Sequence, residues 1–283
     1  MVLLHLARNV CKYRGEDLIA AHFDHGIREN SAEDAEFVRR KAEEYGVECR
    51  IGYGGLGAGV SEAEARRARY EFLYSVLSDA CGKNGDLGEI WTAHHVDDLV
   101  ESVVINFIRG TGWRGLAALD NQKIRRPFLD SKILHKPMGK KQIFDYAARH
   151  ELIYREDPSN SWDEYLRNRI RHKMNEDQKI DYTQKMQLYK LWQRQKSVKA
   201  EVDQLIDTIL PAKGGVWRRE WFKDLEKNVA LELLRRGTQR IDIEATRPQL
   251  ENFRQAILTY TSGKCFNLPG DRLIKLKRDE FEM

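Results

Sequence analysis

The chain has 283 residues, 41% of them apolar and 33% charged, with a net charge of +4 and a mean hydropathy of −0.64. That length holds two domains, one with a substantial core, and no apolar run approaches the roughly 20 residues of a membrane span. The opening MVLLHLARNV is too short and wrongly flanked for a signal peptide, and four scattered cysteines (Cys11, Cys49, Cys81, Cys265) lack any CxxC pair or histidine at ligand spacing, which argues against a disulfide framework or a zinc or iron–sulfur site in a chain that reads as cytoplasmic.

In chain order, Met1 to Val10 has helical apolar spacing with no strand before it. DLIAAHF (Asp17 to Phe23) then reads as a strand and DHGIR (Asp24 to Arg28) as a turn. Ser31, with Asp34 three residues on, caps a helix through about Tyr45 whose stripe is Ala35, Phe37, Val38 and Ala42. Gly46 ends it, and VECRIGY is the next strand. GGLGAGV (Gly54 to Val60) lacks the lysine of a P-loop and the GxGxxG spacing, so it reads as a flexible connection. Ser61 caps a long helix packed through Ala65, Tyr70, Phe72, Leu73 and Leu77. On it Arg66 and Arg69 stand one turn apart, within reach of one anion, although a solvated surface pair is the plainer reading.

The centre of the chain is Glu89 to Gly115. An apolar run, Ile90 to Ala93, reads as a buried strand and is followed at once by His94, His95, Asp97, Asp98 and Glu101. Apolar residues at helical spacing come next (Leu99, Val103, Val104, Phe107, Ile108), and RGTG closes the stretch. On a helix His94, Asp98 and Glu101 fall on one face. Ligands in open α/β sheets bind past the carboxyl ends of strands. Carboxylates in a helix's first turn stay ionised, ready to hold magnesium or an ammonium group. A solvated helix start with capping aspartates is the alternative; five such residues within eight favour a site.

Charge is uneven beyond this point. Lys123 to Arg155 carries nine Lys/Arg against three Asp/Glu, and Ser161 to Ala200 ten against five, a clustering that suits a phosphate backbone or a solvated face. EDPSN reads as a turn around Pro158 and Asn160, and RNRIRH places Arg167 and Arg171 on one helical face. From about Gln178 a long polar helix follows, its buried side marked by Leu188, Leu191, Trp192, Val198 and Val202. After Pro211 come short helices at Glu226 to Arg236 and Arg247 to Tyr260, then a strand-like Asp271 to Lys277.

HFDHGIRENSAEDAEFV, EAEARRARYEFL, TAHHVDDLVESVVINFIRGTGWRGLAAL, RRPFL and EDPSN with YLRNRIRH occur in this order. Together they resemble the tRNA(Ile)-lysidine synthetase family of the N-type ATP pyrophosphatase (PP-loop) superfamily, from Met1 to about Met174. SGKCFNLPGDRLI resembles that family's closing segment more weakly. The resemblance implies an α/β fold with a Rossmann-like parallel sheet over residues 1–175 and a smaller, mainly helical, tRNA-binding domain over 176–283. It also implies a reaction: ATP adenylates C2 of the wobble cytidine of an isoleucine tRNA with a CAU anticodon, and the ε-amine of free L-lysine displaces AMP. The family begins with a strand and an SGGxDS loop placed just before a helix like the one opening this chain. The expectation is therefore that the first strand is missing and that the chain as given does not bind ATP normally.

ATP and Mg2+ are the implied cofactors. The departing pyrophosphate needs neutralising, by magnesium held on Asp98 together with Arg66, Arg69 or Arg109. Asp98 and Glu101, with His94 beside them, offer carboxylates to grip and deprotonate the lysine ammonium. The adenine would sit against the backbone at Phe23, Asp24 and His25, where His25 is as readily a structural hydrogen bonder. Arg109, Gly110, Thr111 and Gly112 form a further nucleotide-binding candidate, although a helix C-terminus favours a cation regardless. Arg167 is assigned to tRNA phosphate or the reacting nucleotide; Arg171 is left open, and so is a homodimer. Three other readings stand beside this one: a tRNA-binding remnant without catalysis, a tRNA-thiolating relative, and an amide-forming enzyme of small metabolites.

Overall fold

The structure is a computed structural model that describes residues 1–27, 30–57, 59–81, 88–121, 123–130, 132–156, 167, 169–171, 180–211, 213 and 215–283. Two compact units divide it, Met1–Gln195 and Lys196–Met283. The division falls at Gln195 and not at residue 175, because Tyr189 and Trp192 are committed to the first unit. Their polar tips donate to Leu129 O (2.7 Å) and Ala118 O (2.6 Å), and their rings join its core. The turn expected around Pro158 and Asn160 lies outside the described residues.

The first unit alternates helix and strand. Helix α1 (Val2–Arg14) stops where Gly15 turns left-handed, at φ 67°. Strand β1 (Ile19–Asp24), helix α2 (Ser31–Glu44) and strand β2 (Glu48–Tyr53) make one parallel crossover, with Ile19 opposite Glu48 and Asp24 opposite Tyr53. After helix α3 (Glu62–Cys81) a second parallel pair follows, β3 (Ile90–Trp91) with β4 (Ile124–Arg125). Between them run α4 (Val96–Ile108) and the single turn α5 (Gly112–Gly115). A 3-10 turn at Pro127–Leu129 and helix α6 (Lys140–Arg149) come next. The expected parallel α/β arrangement is present, as two two-stranded ladders that share no hydrogen bonds with each other.

Helix α4 buries Val96, Leu99, Val100 and Ile105, but Phe107 is 77% and Ile108 61% exposed. The apolar stripe expected to run through Phe107 therefore ends a turn early. Helix α7 (Tyr182–Ile209) departs from expectation likewise, with Leu191 62% exposed while Tyr189 and Trp192 are buried. The inward face there follows the aromatic pair.

The second unit is built on α9 (Lys227–Arg240) and α10 (Arg247–Thr259), preceded by the short α8 (Trp221–Asp224). Two antiparallel pairs complete it: β5 (Val216–Arg218) with β8 (Glu280–Glu282), and β6 (Cys265–Leu268) with β7 (Arg272–Lys275). Phe222, Leu234, Leu250, Phe253 and Phe281 form its buried centre. Gly237 has no room for a side chain, since a Cβ there would lie 2.7 Å from the Trp217 ring.

Candidate functional site

The C-terminal end of β3 leads through Thr92 and Ala93 to His94 and His95 before α4 begins. His95 is the N-cap, its backbone extended at φ −122°, and its amide donates to Asp98 Oδ2 at 3.0 Å. His94 therefore stands outside the helix and does not share a helical face with Asp98 and Glu101. It stays near Asp98 because the loop folds back, with its Nδ1 2.8 Å from Thr92 Oγ1. Burial and the guanidiniums of Arg126, Arg66 and Arg69 outweigh the pull of Asp98 and push the His94 imidazole down to about 4. At neutral pH it is an uncharged ring.

The two expected carboxylates part ways here. Asp98 is half-buried, its Oδ1 3.7 Å from Arg171 Nη2. Glu101 is only 3% exposed and is clasped by Arg171 through Nε (2.7 Å) and Nη2 (2.9 Å), with Arg167 Nε at 3.8 Å. Bidentate Arg–carboxylate pairing of this kind is strong and geometrically strict. Glu101 is thus closed to a lysine ammonium as the structure stands. Arg167 reaches Ser102 Oγ at 3.2 Å and Glu62 at 3.6 Å. Asp97 takes a different part: Oδ2 accepts from the Lys140 amide (2.7 Å) and Oδ1 from Lys185 Nζ (2.6 Å). Burial opposes its charge, but hydrogen bonds from His95, Lys185 and Lys140 hold its carboxyl far below the usual carboxylate range.

Opposite His94, Arg66 lies 4.8 Å and Arg69 5.5 Å from the centre of the Tyr70 ring, and Arg66 Nη2 donates to Tyr70 Oη at 3.3 Å. Arg126 completes the group from the end of β4, buried to 8% exposure and donating from Nη1 to Ile124 O at 3.1 Å. Sequence reasoning missed Arg126 and left Arg171 open. Arg126 had a usable signal, an arginine at the carboxyl end of a parallel strand just before a proline that keeps it extended. Arg171 had none beyond its helical spacing from Arg167.

The other candidates lie apart. Asp24 is buried and turns its Oδ1 to the Gly26 amide (2.8 Å), while Gly54 N donates to Asp24 O (2.7 Å) and Leu56 N to His25 O (2.9 Å). The glycine-rich stretch is thus pinned against β1 over residues 54 to 56, where a Cβ on Gly26 would lie 3.0 Å from Gly55 Cα. Phe23 packs edge-on against His25 at 5.0 Å. Arg109, Gly110, Thr111 and Gly112 are exposed at the far end of α4. At about 1.5 Å per residue that end is roughly 16 Å along the helix axis from Asp98, so these residues are not brought to the His94 cluster. Among the described residues no three His, Cys, Asp or Glu side chains converge as a metal-ion cage. Asp98 lies outside the bidentate clasp that Arg171 makes on Glu101, and a magnesium ion carried on nucleotide phosphates needs only one or two such carboxylates.

Residues 1–178 match the PP-loop domain family. The chain belongs to that family. Over 178 residues it is 34% identical to the tRNA(Ile)-lysidine synthase of Exiguobacterium sibiricum, covering 62% of this chain and 39% of that protein. It is 33% identical over 183 residues to the tRNA(Ile)-lysidine synthase of Thermotoga maritima, covering 62% and 41%. It is also 34% identical over 184 residues to the bifunctional protein TilS/HprT of Listeria monocytogenes, covering 60% and 26%. The resemblance to the lysidine synthetases thus holds, and the chain spans well under half the length of these relatives. Among solved structures the U34-tRNA thiolase NcsA of Methanococcus maripaludis, with its [4Fe-4S] cluster, shares the fold, at a TM-score of 0.51 and 19% identity over 69% of this chain and 67% of that one.

Proposed function

We propose that this PP-loop chain is a tRNA(Ile)-lysidine synthetase, ligating lysine to C2 of the wobble cytidine of a CAU-anticodon tRNA(Ile) through an adenylated intermediate. The observation that carries the reading is the cluster of Arg66, Arg69 and Arg126 around Tyr70, facing an uncharged His94 and the carboxylate of Asp98. Departing pyrophosphate builds up negative charge that fixed guanidiniums stabilise without reorganisation. Asp98 is the carboxylate left to receive the lysine ammonium, since Glu101 is occupied in fixing Arg171 and Arg167. ATP is the energy source that a PP-loop domain implies, with Phe23, Asp24 and His25 as its candidate contacts.

The second unit is read as the tRNA-docking module, with the chain acting on tRNA and free lysine away from any membrane; among the described residues no helix is long and apolar enough to cross one. Closure of Arg171 on Glu101 favours one competing reading, a non-catalytic tRNA-binding protein. The deciding assay is incorporation of labelled lysine into a tRNA(Ile) transcript with a CAU anticodon. ATP-dependent incorporation that D98N abolishes supports the synthetase. Salt-sensitive tRNA binding with no incorporation, also on addition of an upstream segment carrying SGGxDS, supports the remnant.

A further inference from the structure

Helix α4 runs past the core it packs on. Val96, Leu99 and Val100 are buried and Val103 and Val104 half-buried against the same cluster, whereas Phe107, next on that face, is 77% exposed with Ile108 beside it at 61%. A single exposed apolar residue is ordinary, but two in succession on a fixed corner make a patch.

The corner is fixed by its backbone. Arg109 N donates to Ile105 O (3.0 Å) and Gly110 N to Phe107 O (3.0 Å), and the chain reverses through left-handed Gly110 (φ 63°) and Gly112 (φ 70°). Thr111 donates to Asn106 O through its amide (3.1 Å) and its hydroxyl (3.0 Å), while Asn106 Nδ2 donates to Gly115 O (2.7 Å). The Phe107 ring thus stands on a preorganised element, and binding through it costs little ordering.

Charge along this stretch has one sign. From Ser102 to Leu119 the only charged side chains are Arg109, which is exposed, and Arg114, whose guanidinium covers the Trp113 ring at 4.7 Å. An open aromatic ring flanked by arginines, with no carboxylate in the stretch, suits single-stranded nucleic acid, whose bases stack on the ring while cations follow the backbone. A second copy of the chain or another protein would need a far wider apolar area than two side chains supply. Phe107 stands about 14 Å along α4 from Asp98, so nucleotides neighbouring a base held at Asp98 can reach the corner.

We propose that Phe107, with Ile108 and Arg109 beside it, is a stacking platform for an unpaired base of a tRNA anticodon loop. It rests on the synthetase reading above for the identity of that RNA, and it is a binding contact remote from the reacting atoms.

Fluorescence anisotropy with a labelled anticodon stem-loop of tRNA(Ile), and with a blunt RNA duplex of the same length, tests the assignment on the full chain. F107A should weaken stem-loop binding by about fivefold to a hundredfold, the range for losing one base–aromatic stack, and leave duplex binding unchanged. F107W should bind at least as tightly as the parent, whereas F107L, which keeps apolar area without a π-face, should be as weak as F107A. R109Q should flatten the slope of log affinity against log salt by about 0.7, the share of one single-strand phosphate. All four variants should melt at the parent temperature, since the side chains are exposed. Stem-loop affinity unchanged in F107A, or a salt slope unchanged in R109Q, overturns the proposal, as does a parent chain that does not bind the stem-loop. F107L binding like the parent makes the contact merely apolar, and a parent dimer that F107A dissociates in sedimentation makes it a contact between copies; either overturns it. An F107A protein that melts lower gives Phe107 a packing role and overturns it too. Phe107-dependent stem-loop binding without lysine incorporation leaves the platform standing and removes only the synthetase reading, and lysine incorporation with binding insensitive to F107A does the reverse.

Discussion

Replacing Arg171 by methionine strips Glu101 of its bidentate partner while filling much of the same space. The Glu101 side chain is 4% and that of Arg171 22% exposed, so the carboxylate left behind has little water to turn to. Breaking a buried pair from one side typically costs about 3–5 kcal/mol. Arg167 Nε, already 3.8 Å away, would draw in and offset part of this. A net loss of about 2–4 kcal/mol follows. For a unit of this size that is a fall in melting temperature of roughly 4–16 °C, at about 2–4 °C per kcal/mol. The second substitution is the informative one. E101Q placed on R171M removes the stranded charge, so the double variant should recover about 2 kcal/mol relative to the sum of the singles. Urea unfolding followed by tryptophan emission reports on this unit through Trp192, which is buried in its core. Additive single-variant losses, or an R171M loss below about 0.5 kcal/mol, would refute the claim that this pair neutralises a sealed carboxylate.

His94 sets an acid-side dependence. Its folded-state value, about 4, lies below the ordinary 6.5, so as pH falls below 6.5 the unfolded chain takes a proton the folded one refuses. Stability contributed by the neutral ring is complete above 6.5 and drains away toward pH 4, by up to roughly 3 kcal/mol for a difference of about 2.5 pH units. H94Q should flatten that part of a stability-against-pH curve measured by urea midpoint; an unchanged curve would contradict it. G237A drives a methyl group into Trp217 and Met283. It should cost the second unit about 1–3 kcal/mol by overpacking, seen as a lower melting transition for that unit, and a neutral result would mean that the packing there yields.

The βαβ order of the first unit was legible because each strand is a short apolar run bounded by glycine or an acidic turn, and because Gly46 closes α2, although its N-cap is Asn30 and Ser31, expected as the cap, is the first helical residue. Placing the polar cluster at the exit of β3 followed from the same alternation. What periodicity could not show is where a helix starts within a polar run. His94 and His95 look helical by spacing, yet the side chain of Asp98 accepts the His95 amide and makes that residue the cap. Nor does spacing show whether an apolar face has anything to pack on, and so Phe107 and Leu191 were misjudged. The pairing of Glu101 with Arg171 joins residues seventy apart, and nothing local to either announces it. Arg126 was hidden for a related reason: burial comes from the surrounding fold, while a run of basic residues suggests solvent.

Asp97 fastens three segments at once, being part of α4 while holding the first amide of α6 and the Lys185 ammonium of α7. Such a shared anchor fails for all its tethers together. Because its carboxyl is held low, the anchor is intact wherever an unfolded aspartate would be ionised and weakens only in stronger acid. Acidification should therefore loosen both neighbouring helices from the chain around Asp98 in a single event, and the turn that carries His94 and His95 would lose its fixed orientation before the strands behind it come apart.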